Sequence, residues 1–98
     1  MITVGMNYRV RAGKEPLFEE KCAAVVDAMK AVAGHLETHV YRDIVDGTAY
    51  LIVSEWDSKP SFAAFIRSDA FREVTNWGKL EVLAGRPSHH LYDRTESF

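Results

Sequence analysis

Arg42, Glu55 and His89 are the residues whose types could move a proton and hold a developing negative charge. A neutral imidazole accepts protons near neutral pH, a guanidinium steadies an oxyanion, and a carboxylate can orient either of them. Alternation along two strand-like runs puts Arg42 and Glu55 in one row with Thr38, Val40, Leu51 and Val53, and His89 joins them if Leu91 points to the core. Met6, Phe62, Phe65, Phe71 and Trp77 then supply apolar walls, and Thr38 and Thr75 complete the lining of a pocket for a small apolar or aromatic molecule. Each residue also has a structural reading. Arg42 could lay its stem over the core, Glu55 could sit at a wet rim or in an ion pair, and aromatic residues at helical spacing pack together.

Other chemistries find less support. His89 and His90 are adjacent in a strand and point to opposite faces, so they do not chelate one ion, and no metal is expected. Cys22 is the single cysteine, without a disulfide or CxxC partner, and reads as a small apolar filler of a helix stripe. The net charge of -2 lacks the cationic excess that a phosphate backbone or an anionic lipid surface requires, so nucleic acid is not an expected partner. No run approaches the roughly 18 apolar residues of a membrane span and no basic-apolar leader opens the chain, so no membrane partner is expected and the expectation is a cytoplasmic protein.

The elements that must position these residues follow from periodicity. Ile2, Val4, Met6, Tyr8 and Val10 alternate with Thr3, Gly5, Asn7 and Arg9 in a first strand. From Pro16, Phe18, Cys22, Val25, Met29 and Val32 recur at helical spacing, with Gly34 as the left-handed cap. Runs 35–45 and 48–57 flank Asp46-Gly47, which predicts a two-residue type I′ hairpin that sets Val40 opposite Val53 and Arg42 opposite Leu51. Ser58 and Ser68 cap two short helices, and Ser88 to Asp93 forms a last strand before a tail at 94–98. The whole is one domain, 1–98, without repeats or linkers.

This order predicts an α+β, ferredoxin-like fold, a four-stranded antiparallel sheet with its helices on one face. With the aliphatic row turned to the helices, Tyr41, Tyr50, Ile52 and Trp56, together with His39 and Tyr92, are left on a bare face. Four aromatics and an isoleucine together exceed ordinary surface scatter and predict a homodimer packed sheet to sheet.

The segment Asn7-Tyr8-Arg9-Val10-Arg11-Ala12-Gly13-Lys14 leading to Glu19-Glu20, the run Tyr41-Arg42-Asp43, and Ser54-Glu55-Trp56-Asp57-Ser58 followed by Phe62, Phe65 and Ser68-Asp69-Ala70-Phe71 resemble the antibiotic biosynthesis monooxygenase superfamily. The resemblance covers most of residues 2–93 and implies a dimeric α/β barrel. It implies a cofactor-independent monooxygenase acting with dioxygen on an aromatic or quinol-like molecule, with His89 as proton acceptor, Arg42 holding the oxyanion and Glu55 orienting one of them. Two alternatives remain, a haem-binding or haem-degrading monooxygenase and a non-catalytic binding or stress-response dimer. The haem-degrading branch uses an asparagine, a tryptophan and a histidine at positions that fall here on Met6, Phe65 and Thr75, with Asn7 displaced by one residue, so no cofactor is the favoured expectation.

Overall fold

The computed structural model describes residues 1–69 and 71–73, and residues 88–93 as backbone. The chain runs β1 (Ile2–Arg9), α1 (Glu15–Met29), β2 (His35–Arg42), β3 (Ala49–Trp56), α2 (Lys59–Ile66) and β4 (Ser88–Asp93). All neighbouring strands are antiparallel, in the order β2-β3-β1-β4. This is the ferredoxin-like α+β fold.

The alternation of β1 buries Ile2 and Val4, and Val10 just beyond it, against the helices. Pro16 opens α1, whose Phe18, Cys22 and Met29 are buried. Ser58 caps α2 by accepting the Ser61 N–H, and the Ser68 hydroxyl accepts the Phe71 N–H, so both capping expectations hold. The core divides in two. Ile2, Val4, Met29, Trp56, Phe62 and Phe65 pack at one end, and Val10, Phe18, Cys22 and Tyr50 at the other.

The hairpin differs from expectation. A type I′ turn needs positive φ at both Asp46 and Gly47, yet among the described residues positive φ occurs only at Gly13 and Gly34. The connection is instead a loop from Asp43 to Thr48 that its own acids tie together. Asp43 Oδ1 accepts the N–H groups of Val45 at 2.7 Å and Asp46 at 2.9 Å. Asp46 Oδ1 accepts the Thr48 hydroxyl at 2.6 Å and its N–H at 3.0 Å, while Arg9 reaches Oδ2 at 2.7 Å. These bonds, the Thr48 hydroxyl first, hold the Asp46 carboxyl down to about 2.

The longer loop moves the register by one residue. Val40 pairs with Ile52, Thr38 with Ser54 and Arg42 with Tyr50. A slip of one residue exchanges the faces of a strand, so the expected face assignment of β3 is reversed. Tyr50, Ile52 and Trp56 belong to the helix side, where Tyr50 and Trp56 are buried and Ile52 packs against the Tyr50 end of the core. They are not part of an open face. Leu51 and Val53, expected as pocket walls, and Glu55, expected beside Arg42, lie on the opposite side, where the Thr3 hydroxyl donates to Glu55 at 3.3 Å. Of the expected interface residues, His39 and Tyr41 do stand on the uncovered face, their rings 6.3 Å apart.

The other correction concerns α1, which stops at Met29 rather than at Gly34. Tighter turns follow, with the Val32 N–H donating to Met29 O and the His35 N–H to Val32 O. Gly34, at φ +85°, closes this stretch where its carbonyl accepts the Asp57 N–H at 2.9 Å, and a Cβ there would strike the Ser61 side chain. Both conformation and space therefore demand glycine. Gly34→Ala should lose about 1–3 kcal/mol in denaturant unfolding. Adding Ser61→Ala should recover little of the loss, because alanine keeps the Ser61 Cβ that the new Cβ also strikes, and a Gly34→Ala protein of unchanged stability would contradict this geometry.

Candidate functional site

The reversed register brings a different set of groups together from the one alternation suggested. Phe18 on α1 holds the Tyr50 ring at 4.7 Å between centroids, and the Tyr50 hydroxyl emerges beside the next residue of the helix, Glu19. It donates to Glu19 Oε2 at 2.6 Å. Arg42, across from Tyr50 on β2, sets Nη1 at 3.4 Å from the same oxygen and its guanidinium carbon 5.8 Å from the Tyr50 ring centre. Its Nε donates to the Gly47 carbonyl at 2.9 Å. A Cβ on Gly47 would lie 2.8 Å from Arg42 Nη2, so that glycine serves the close approach of the guanidinium.

These groups stand at one end of an open groove of about 460 Å³ between α1 and the β2–β3 pair. Cys22, Ala23, Val26 and Val40 give it an apolar floor, and Asp27 and Lys30, 3.6 Å apart, stand at the far end. Burial, and then the Glu19 charge, push the Cys22 thiol up to about 12, which keeps it protonated and a poor nucleophile. The Tyr50 phenol is likewise raised to about 12, by burial first and by the bond to Glu19 second. Tyr8, whose ring is 5.5 Å from Phe18, is raised too, chiefly by burial.

Of the expected catalytic residues, only Arg42 reaches this groove. Glu55 is on the other face of the sheet. His89 pairs with Met6 on β4, at the opposite edge of the sheet from β2. Three strand spacings of about 4.8 Å separate those edges, so the backbones of His89 and Arg42 are ~14 Å apart across the sheet alone. Of the expected lining, Phe62 and Phe65 are buried core residues around Trp56, and Phe71 packs on Phe65 at 5.3 Å. Met6 is half-buried against that core, and Thr38 bonds His35 Nε2 at 2.5 Å. Thr75 and Trp77 lie outside the described residues. Glu19 was missed because it stands beside the buried stripe of α1, flanking Phe18, where a carboxylate reads as solvated. Tyr50 was missed because the expected register turned it away.

Neither histidine whose side chain is described is placed in the groove as a haem iron ligand. His35 Nε2 is held by Thr38 and its ring lies 5.1 Å from Trp56, His39 is exposed and bonded to Glu37 at 2.7 Å, and neither opens on the groove. Among the described residues no group of three or more His, Cys, Asp or Glu could hold a metal ion, and no helix is long and apolar enough to cross a membrane.

Residues 1–77 match the family model of antibiotic biosynthesis monooxygenase, and the chain belongs to that family. It is 40% identical over 87 residues, 89% of its length, to a candidate haem-binding protein of Haloarcula marismortui and equally to one of Natronomonas pharaonis. The chain spans only 13% and 14% of the length of those two relatives. Among solved structures, a candidate antibiotic biosynthesis monooxygenase from Deinococcus radiodurans superimposes with a TM-score of 0.90 at 16% identity, covering 100% of this chain and 96% of that one. SnoaB, a cofactor-independent oxygenase from Streptomyces nogalater, gives 0.83 at 14% identity over 98% of this chain and 94% of its own. At these identities the two structures carry the fold alone.

A phenol whose folded pKa exceeds its unfolded value stabilises the fold below the unfolded value, and that contribution is lost as pH rises through the folded one. For Tyr50 the window runs from the ordinary 10 to about 12. Glu19→Gln removes a charge that raises it and leaves only a weaker, neutral acceptor, so the Tyr50 ring carbon resonance should titrate at lower pH in that variant while remaining above 10. An identical titration in both proteins would show that Glu19 does not hold the phenol.

Proposed function

We propose that this domain is a cofactor-independent monooxygenase whose groove between α1 and β2 binds a phenol or quinol-like ring. One observation carries the reading: a carboxylate and a guanidinium meet over an apolar floor, at Glu19 and Arg42, with a phenol already hydrogen-bonded to the same carboxylate oxygen. Membership in the monooxygenase family supports it. Glu19 takes the ring hydroxyl proton, and Arg42 holds the phenolate oxygen that results. The electron-rich ring then reduces dioxygen. One oxygen atom bonds to a ring carbon in place of hydrogen and the other leaves as water, and the substrate supplies all four electrons as a phenol becomes a quinone. In this reading a second copy covers the bare sheet face, where Leu51, Val53, Tyr41 and His39 stand.

A second reading has its own observation, the name of the haloarchaeal relatives. It is haem binding, with His89 on β4 as the expected iron ligand.

Oxygen-electrode assays of haem-free, metal-free protein against a series of hydroquinones separate the two. The first reading expects substrate-dependent uptake that Arg42→Ala lowers by about 100-fold and Glu19→Gln by at least about tenfold. Loss of uptake in His89→Ala alone would move the proton acceptor to β4. No uptake with any hydroquinone, together with a saturable haemin complex lost in His89→Ala, would replace the proposal with the haem reading. No uptake without haemin binding would leave a binding module.

A further inference from the structure

The contact that defines the groove is made by the protein with itself. A tyrosine hydroxyl donates at 2.6 Å to a half-exposed carboxylate, and that carboxylate also faces Arg42 at 3.4 Å. Nothing in the fold obliges a buried phenol to end there. The Tyr50 ring is fixed by Phe18 and the sheet, so removal of its hydroxyl leaves the packing intact, and water in the open groove can take over the carboxylate. Glu19 is the one carboxylate of the groove that a phenol already engages, whereas Asp27 pairs with Lys30 at the far end.

We infer that Tyr50 is a specificity-determining residue. Its hydroxyl occupies Glu19 Oε2, the oxygen that Arg42 also faces, in the free protein, and a ring hydroxyl reaches both groups at once only when it displaces that phenol. The inference rests on the function proposed above and narrows its substrate class. Donor strength toward a carboxylate rises with the acidity of the hydroxyl, so displacement favours phenols and quinols at least as acidic as tyrosine, with an ordinary pKa near 10, over alcohols and ethers of similar shape. An apolar floor alone discriminates poorly between such molecules, whereas only a hydroxyl can replace the hydrogen bond that Tyr50 gives up. Tyr50 sets the threshold, and the apolar floor only admits the shape.

Calorimetric titration with 2-naphthol and with its methyl ether, 2-methoxynaphthalene, tests this without any turnover. The wild-type protein should bind naphthol more tightly than the ether. Tyr50→Phe, checked for unchanged thermal unfolding, should bind naphthol about three- to tenfold more tightly, as expected when a competing hydrogen bond of ordinary strength is removed, and the ether within a factor of about two of wild type. Glu19→Ala, which leaves no acceptor at that position, should bring naphthol and ether to similar affinity. Naphthol binding that is weakened or unchanged by Tyr50→Phe would overturn the inference, as would equal affinity of the wild type for the two probes or no binding of either. These outcomes are distinct from failure of the oxygenase reading, in which the binding pattern holds while no hydroquinone consumes oxygen.

Discussion

Trp56 has no exposed surface, and the parity of the central strand depends on that burial. Its indole N–H donates to the Ser54 hydroxyl at 3.0 Å, its ring meets Phe62 at 5.7 Å and Phe65 at 5.3 Å, and Ile2 pairs beside it. An indole of this size, fully enclosed, contributes several kcal/mol on the order of the 3–5 lost when a buried aromatic is truncated. Because strand side chains alternate, seating Trp56 toward the helices also seats Ser54, Ile52 and Tyr50 there. The site of the protein is then a consequence of its core. Tyr50 cannot reach Glu19 unless Trp56 faces α2.

At the other end of β3 the loop from Asp43 to Thr48 performs a complementary task. Its length fixes the pairing of Arg42 with Tyr50, and the bond from Arg42 Nε to the Gly47 carbonyl aims the guanidinium over the Tyr50 ring toward α1. Asp43 and Asp46 stiffen the loop by accepting its backbone donors, which replaces the hydrogen bonds a tight hairpin would have made. Hairpin loop, edge strand and first helix thus converge on one carboxylate. The apolar residues Ile44 and Val45 are left exposed at the tip, away from the groove.

Much of the fold was legible because several independent patterns agreed. The alternation of Ile2 to Val10, the stripe from Phe18 to Met29, the caps at Ser58 and Ser68, and the last strand from Ser88 to Asp93 all appear where periodicity put them. The hairpin was not legible, since Asp46-Gly47 signals a tight turn through its tolerance of positive φ, and here Asp46 spends its carboxylate on Thr48 and Arg9 while Gly47 makes room for Arg42. In β3 both rows read as apolar, Leu51 and Val53 against Tyr50, Ile52 and Trp56, so composition left the choice of inner face to the register. That single residue of register separated Arg42 from Glu55 and joined it to Tyr50 and Glu19. Arg42 was legible as a polar residue over the core, and its partners were not.

The central claim is that β3 turns Tyr50 and Trp56 toward the helices. Nuclear Overhauser contacts in solution test it directly, through the Tyr50 ring against Phe18 and the backbone of Tyr41 against Leu51. The account predicts strong Tyr50–Phe18 ring contacts and Tyr41 paired with Leu51. A pairing of Tyr41 with Ile52, with no Tyr50 contact to α1, would return both aromatics to the open face and remove the groove.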